Sequence, residues 1–511
     1  MPTYLSPGVY VEEAEAGSRP IEGVGTSVAA FVGFAQQGPF DTATLVSNWT
    51  QFTSIYGEFV DGFYLAQAVY GYFLNGGTNC YIVRIGGARG NGNGRRPELT
   101  AGPQATLGGY RVLARELPAG TKASDITVEV ADSGDENAPD DRFTLLVKQN
   151  GKVAETHNVT TKRTKDNIIT VVREKSKLIA IEEVGGGALT KPEKGTVALQ
   201  EAPAPVPTTV APDDFVGDVS DRTGFSGLEA VDEITMVIVP DLMSQYERGA
   251  IDLEAVKSVQ LAMIAHCELM GNRLAILDPP PGLSPQQVKD WRTDYAGYDS
   301  KYAALYYPWI KVFDPGSGIN KFVPPSGHMA GVWARTDSTR GVHKAPGNEV
   351  VQGAVSLATQ VTKAEQDLLN PIGVNCIRSF SGRGIRVWGA RTLSSDPAWR
   401  YLNVRRLFNY FEESILNGTQ WVVFEPNDEA LWARIRRTIS SFLVTEWRKG
   451  ALFGLTPDEA FYVKCDRETN PAESIDLGQV LCEVGIAPVK PAEFVVFRLA
   501  QIQGGTSLVN E

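Results

Sequence analysis

Gly25-Thr26-Ser27-Val28-Ala29-Ala30 is where this chain could offer a nucleophile, a serine among small residues leading into an apolar run. Serine chemistry needs a histidine base within hydrogen-bond reach, itself held by a carboxylate. The four histidines, His157, His266, His328 and His343, fall in four separate predicted elements. None belongs to an HExxH pair, so zinc hydrolysis has no local signature either. His266 lies inside a predicted helix beside Cys267, the placement of a core residue. Phosphate binding would call for GxxxxGK[ST], whose glycines free backbone N–H groups for the phosphates. The glycine-rich run Gly86-Gly87-Ala88-Arg89-Gly90-Asn91-Gly92-Asn93-Gly94 lacks that lysine and reads as a linker. Glu412-Glu413 and Asp466 sit on ordinary polar faces. The sequence offers no catalytic, cofactor-binding or metal-ligating constellation.

Composition narrows the field further. The chain has 511 residues, 43% hydrophobic and 21% charged, enough for two to four ordinary globular domains. A net charge of −12 argues against a nucleic-acid binder, whose footprint is usually a basic excess. The start MPTYLSPGVYVEE has no basic region followed by an apolar core, so no secretion leader is expected. No apolar run reaches the roughly 18 residues of a membrane-spanning helix. The five cysteines, Cys80, Cys267, Cys376, Cys465 and Cys482, never take CxxC spacing and read as reduced thiols.

The elements that could position any chemistry alternate between strand and helix. Residues 28–34 read as a buried strand, Ser47-Asn48 as a helix cap, 63–74 as a helix and 80–85 as a strand. From 97 to 222 the text changes to short strands and turns. Asn150-Gly151 between two alternating runs predicts a hairpin, and 167–172 and 177–181 read as further strands. Ala202-Pro203-Ala204-Pro205-Val206-Pro207 closes that β-rich insertion as a stiff stretch. Strand–helix alternation resumes at 234–240. One long helix is expected over 247–270, a strand over 273–277, and a helix capped by Ser284 with Pro285 at its first position. A strand over 303–307 and a helix near 327–333 follow. Such repetition implies a mainly parallel sheet covered by helices. A last segment from Gly373 carries strands over 374–380 and 384–388, and a helix with Leu407, Phe411 and Ile415 at four-residue spacing. It ends with a strand over 421–424, a helix over 428–447 and a strand over 461–465.

Three features remain unabsorbed by an ordinary domain. Val9, Tyr10 and Val11 at the front, and Phe494, Val495, Val496 and Phe497 at the back, read as lone strands at the two ends. A lone strand exposes unpaired N–H and C=O groups, so it pairs within its own domain or completes a neighbour's sheet. Gly17, Pro488 and Pro491 mark flexible joints beside these arms. Finally, Leu431, Trp432, Ile435, Ile439, Phe442 and Leu443 gather on one face of the 428–447 helix. Arg434, Arg437 and Arg448 fall on the other, a solvated face or a basic stripe that could dock on an acidic partner.

Longer motifs carry a family resemblance. Arg383-Gly384-Ile385-Arg386-Val387-Trp388-Gly389-Ala390-Arg391-Thr392-Leu393 resembles a motif of contractile tail sheath proteins. So do Trp399-Arg400-Tyr401-Leu402-Asn403-Val404-Arg405-Arg406-Leu407, Gln420-Trp421-Val422-Val423-Phe424-Glu425-Pro426-Asn427 and Ala460-Phe461-Tyr462-Val463-Lys464-Cys465-Asp466. The opening Pro7-Gly8-Val9-Tyr10-Val11-Glu12-Glu13 is similar to the family's N-terminal arm. The resemblance implies an α/β, multidomain, non-enzymatic subunit of a bacterial phage tail or phage-tail-like particle. Its parts would be an arm over 1–20, a discontinuous middle α/β domain over 21–95 and 223–370, and a β-rich outer domain over 96–222. A tube-facing α/β domain over 371–493 and a C-terminal strand and arm over 494–511 complete it. The implied partners are further copies of the chain, six per ring, an inner tube protein, and baseplate and terminal cap proteins. No part for nucleic acid, membrane insertion or cofactors is expected. Assembly would take place in the bacterial cytoplasm before release, and contraction would drive the tube through a target envelope. Arg434, Arg437 and Arg448 become candidate tube contacts.

The competing reading is a subtilisin-like serine hydrolase, because Gly25-Thr26-Ser27 is similar to the nucleophile motif of those proteases. They place it late in the catalytic domain, after aspartate and His-Gly-Thr motifs; here it stands first and no His-Gly-Thr occurs. A secreted adhesion module, the third reading, would need a leader.

Overall fold

The computed structural model describes residues 20–86, most of 104–199, and 211–499. The arm residues Val9, Tyr10 and Val11 and the joint at Gly17 lie outside the described residues. Two compact units divide the chain: one is formed by residues 1–85 and 209–511, the other by 86–208.

The larger unit is built on an eight-stranded sheet. Its order is Gly384–Val387, Val374–Phe380, Ala303–Tyr307, Leu274–Leu277, Met236–Ile238, Ala29–Gly33, Cys80–Arg84 and Thr44–Val46. The six inner strands run parallel, and an antiparallel strand closes each edge. AAFVG, LAIL and AALYY are buried at every position, as expected of strands covered by helices on both faces. The α/β character and the parallel sheet are as the sequence predicts.

Caps explain where the helices begin. The Asn48 side chain accepts from the Gln51 amide at 2.9 Å and starts Trp49–Tyr56. Ser284 and Gln287 form a reciprocal capping box ahead of Pro285–Asp290. The single helix expected over 247–270 is two, Asp241–Glu247 and Leu253–Met270. Asp252 divides them, because its extended backbone and the bond from the Ala255 amide to its carboxylate make it an N-cap.

The boundary expected at 371 falls inside the sheet. Val374–Phe380 pairs in parallel with Ala303–Tyr307, so residues 374–387 complete the central layer. Beyond it, Leu402–Gly418 and Glu429–Arg448 enclose a second core of Leu407, Phe411, Leu431, Trp432, Ile435, Ile439, Phe442 and Leu443. Those six residues of the second helix are the face its periodicity predicts. The strand expected over 421–424 is instead a single tight turn, Gln420–Val422, with Phe424 at φ 68° and fully exposed. Its β-branched residues have no strand beside them, while the Val422 amide closes back on Thr419 O.

The smaller unit has its own core. One sheet runs Gly195–Ala198, Ile126–Asp132, Arg142–Gln149, Lys152–Thr160, and a second joins Gln104–Leu107, Tyr110–Ala114 and Ile179–Glu183. All pairs are antiparallel. Asn150 and Gly151, at φ 51° and 77°, make the predicted hairpin turn. Residues 167–172 are not a strand: the Asn167 side chain accepts from the Ile169 amide and caps the helix Ile168–Lys175, which buries Ile168 and Val172. The insertion read as 96–222 is a compact unit over 86–208. Phe215, in the helix Pro212–Val216, stacks edge-on against Phe34 of the larger unit.

Candidate assembly interface

A doubly wound sheet usually holds its ligand in the crevice beyond the strand C-termini, where the strand order reverses. In this chain that point lies between Ala29–Gly33 and Met236–Ile238, and the protein fills it with its own side chains. The Asp241 carboxylate, fully buried, accepts from the Phe34 amide at 2.7 Å and the Tyr64 amide at 2.5 Å. Burial pushes its pKa up to about 6, against the pull of those amides. A Cβ on Gly33 would sit 2.5 Å from that carboxylate, which is why the strand ends in glycine. Phe63 packs over Phe34 at 5.2 Å and closes the crevice. Ser27 does no better as a nucleophile. Its carbonyl accepts from Tyr72 Oη, and among the described residues no histidine hydrogen-bonds a serine hydroxyl. Nor do the described residues gather three or more metal-ligating side chains, and none of their helices is long and apolar enough to cross a membrane.

What the larger unit does present is two anchored roots and an open edge. At the front, Ile21 packs on Gly418, and the Val24 amide donates to Ser414 Oγ at 3.1 Å. Thr26 Oγ1 donates to Asp337, whose carboxylate takes both terminal nitrogens of Arg406, at 2.9 and 2.5 Å. Arg406 also donates to Thr26 O and lies 4.8 Å over the Trp333 ring. Both members of the ion pair are buried, so losing either would leave an uncompensated charge, a cost of about 3–5 kcal/mol. The first described residues are thereby riveted to Leu402–Gly418 and Ser326–Arg340. Beside them a cleft of about 230 Å³ is lined by residues including Gly25, Asp232, Asn409 and Glu413.

At the back, Glu493 is the root. It accepts from Arg391 Nε at 2.9 Å and Nη2 at 2.6 Å, from Asn370 Nδ2 at 2.8 Å and from Tyr401 Oη at 3.0 Å. Burial raises the Glu493 pKa, but the Arg391 and Asn370 bonds outweigh it and hold the carboxyl below its usual range. Pro488 and Pro491, expected at a flexible joint, belong to a docked stretch. Pro488 bridges to Leu452, the Val489 amide donates to Ala451 O, and Val489 O accepts from Asn403 Nδ2 at 3.0 Å. Past Glu493 no such tie occurs among the described residues. Phe494, Val495, Val496 and Phe497 are 67–84% exposed and form no strand.

The open edge is a two-stranded antiparallel ribbon, Phe461–Lys464 with Glu483–Ile486, and no third strand joins that sheet among the described residues. Phe461, Val463, Val484 and Ile486 lie against the helical core, while Tyr462 faces outward. Two strands alone are marginal, so this ribbon borrows its stability from the helices beneath it.

The basic stripe divides. Arg434 pairs with Glu425 at 2.9 Å and covers the Trp421 ring, whereas Arg437 and Arg448 are exposed and form no ion pair among the described residues. Arg436, which the stripe omitted, turns back to donate to Cys465 O. Sequence reasoning found the strand Phe461–Lys464 but missed its partner Glu483–Ile486 and the Glu493 latch. Arg391 and Glu493 stand 102 positions apart, beyond the reach of any spacing rule.

A filled crevice, fastened roots at residues 21–26 and at Glu493, and a short ribbon fit a structural building block made to join others. The family follows from comparison with known proteins. Residues 224–393 match the family model described as phage tail sheath protein central domain, and residues 394–502 the one described as phage tail sheath C-terminal domain. The chain belongs to the contractile tail sheath family and is a structural sheath subunit of contractile, phage-tail-like particles. It is 24% identical to the tail sheath protein of Burkholderia phage BcepMu, over 96% of this chain and 95% of that one. It is 28% identical to the tail sheath protein of Vibrio phage KVP40, over 43% of this chain, but spans only 34% of that relative's length. Among solved structures, the anti-feeding prophage helical sheath in its contracted state is 25% identical, with a TM-score of 0.60 over 98% of this chain and 100% of that one. The sheath complex of the PVC extracellular contractile injection system, also contracted, shares the fold at 23% identity, with a TM-score of 0.58 over 98% of this chain and 99% of that one.

Proposed function

We propose that copies of this chain stack as six-membered rings around an inner tube and shorten to drive that tube through a target envelope. Each copy is tied to its neighbours by strands that the two arms add to open sheet edges. The observation that carries this reading is the tail beyond Glu493. Five apolar residues, Phe494, Val495, Val496, Phe497 and Leu499, stand in water on a segment whose root is held by four hydrogen bonds. Fully burying a large apolar side chain stabilises by about 1.5–3 kcal/mol, and a ladder adds about 1 kcal/mol per hydrogen bond. Ordering each residue costs about 1–2 kcal/mol of backbone entropy, so a docked arm comes out ahead. The ribbon Phe461–Lys464/Glu483–Ile486 is the acceptor edge in this scheme, because it is short, backed by helices and without a third strand among the described residues. The arms pivot at Gly17 in front and just past Glu493 behind, which moves the rear joint off Pro488 and Pro491.

Arg437 and Arg448, with Arg434 beside them, meet the inner tube as cations facing an acidic surface. Baseplate and terminal cap proteins bound the stack, assembly takes place in the bacterial cytoplasm, and neither nucleic acid nor membrane insertion is involved. The test is truncation. Protein lacking residues 494–511, or residues 1–13, should remain a folded monomer with the melting temperature of the full chain, yet give no rings or tubes by negative-stain microscopy. Sheaths of normal length from either truncation would refute the exchange of arms.

A further inference from the structure

Cys465 and Cys482 occupy one end of the ribbon, face to face. The register pairs Lys464 with Glu483, so the next positions outward are the two cysteines. The two thiols are close enough for each to perturb the other's titration. Asn470 holds them there: its Nδ2 contacts Cys465 Sγ at 3.7 Å and Leu481 O at 3.0 Å, while its Oδ1 accepts from the Leu481 amide at 2.6 Å. Opposed residues of an antiparallel pair have Cα atoms about 4.5 or 5.5 Å apart. Both values lie within the roughly 4.4–6.8 Å that disulfides span. The other three cysteines, Cys80, Cys267 and Cys376, are buried in separate elements of the central unit.

We propose that Cys465 and Cys482 are a redox-closable pair, a dithiol that a small-molecule disulfide converts into a cross-strand bridge. Cys482 is partly accessible and Cys465 is buried, so exchange begins at Cys482. Its thiolate attacks the small disulfide, forming a mixed disulfide and releasing one thiolate. Cys465, deprotonated in turn, displaces the second thiolate and closes the bridge. The pair loses two electrons and two protons, and the oxidant becomes two thiols. Burial raises the pKa of both groups, Cys482 to about 12, so the dithiol persists near neutral pH and exchange quickens in alkali. Once closed, the bridge confines the segment between them, including the helix Ala472–Asp476 and exposed Leu477, against the ribbon. This stands whether or not the ribbon receives an arm.

The experiment uses the full chain, reduced, freed of reductant and incubated with oxidised glutathione at about pH 8.5. It is then quenched in acid and labelled with a thiol mass tag in denaturant. Two of the five thiols should disappear without gaining glutathione, and peptide mapping should place one bridge between Cys465 and Cys482. Cys482→Ser should keep all its remaining thiols reactive. Five free thiols after prolonged incubation would overturn the proposal. So would a bridge elsewhere, or a lasting glutathione adduct on Cys482, which a facing thiol would have displaced.

Discussion

Replacing Glu493 by alanine removes the root of the C-terminal tail without touching the central sheet. The carboxylate takes four hydrogen bonds, two of them a fork from Arg391, and the side chains of the pair are 9% and 18% exposed. A hydrogen bond to a charged group contributes about 1.5–3 kcal/mol, and such terms do not add within one network. Breaking a fully buried pair costs about 3–5 kcal/mol, and this pair's partial exposure reduces that. About 3 kcal/mol is the working figure. At about 1.4 kcal/mol per tenfold, local opening of residues 487–493 should become on the order of 100-fold more frequent. Hydrogen exchange reads it directly through the Ala487 and Val489 amides, which donate to Ala460 O and Ala451 O. Amides of Ala303–Tyr307 should exchange as before. Glu493→Gln, which can keep part of the network, should fall between. The latch also carries a sign in pH. The folded carboxyl has a lowered pKa, so its contribution is complete above the ordinary glutamate value of about 4.3 and is lost as pH falls through the lower folded value. Unchanged exchange at Ala487 and Val489 in Glu493→Ala would refute the claim that Glu493 fastens this stretch.

Two further outcomes are expected. Arg437→Glu combined with Arg448→Glu changes exposed, unpaired positions, so the melting temperature should move by no more than a degree or two, while decoration of inner tubes falls sharply in co-assembly. Full decoration by that variant would remove the stripe as a tube contact. Asp278 is buried beneath Ser326, whose amide and hydroxyl donate to it, and burial pushes its pKa up to about 7. Folded protein therefore holds a proton that the unfolded chain has released between about pH 4 and 7, and stability from this group falls as pH rises across that window. Asp278→Asn should flatten the slope of melting temperature against pH there, and an unaltered slope would show the group titrates normally.

Much of the fold was legible because it is written locally. Short all-apolar runs bounded by turn residues mark parallel strands, and Asn48, Ser284 and Asp428 announce helix starts by the side-chain bonds they can make. Local rules also explain the misreadings. The β-branched run after Asn167 looks extended until the Asn167 cap and one buried face are weighed, and Trp421-Val422-Val423 has strand residues but no strand to join. The apolar residues 494–497 could be picked out in the sequence. The features that hold them could not. Arg391 with Glu493, Arg406 with Asp337, and Leu452 opposite Pro488 are partnerships that only the folded backbone brings together.

One helix deserves a mechanical reading. Leu402–Gly418 meets Glu493 through Tyr401 at its first cap and Ile21 through Gly418 at its last turn. At 1.5 Å per residue the two contacts are about 25 Å apart along a single rod. A continuous spine of backbone hydrogen bonds thus joins the fastening of the first described residues to that of Glu493. Such a strut would hold its two fastening points at constant spacing under any tilting of its surroundings, as the crossbar of a folding gate does.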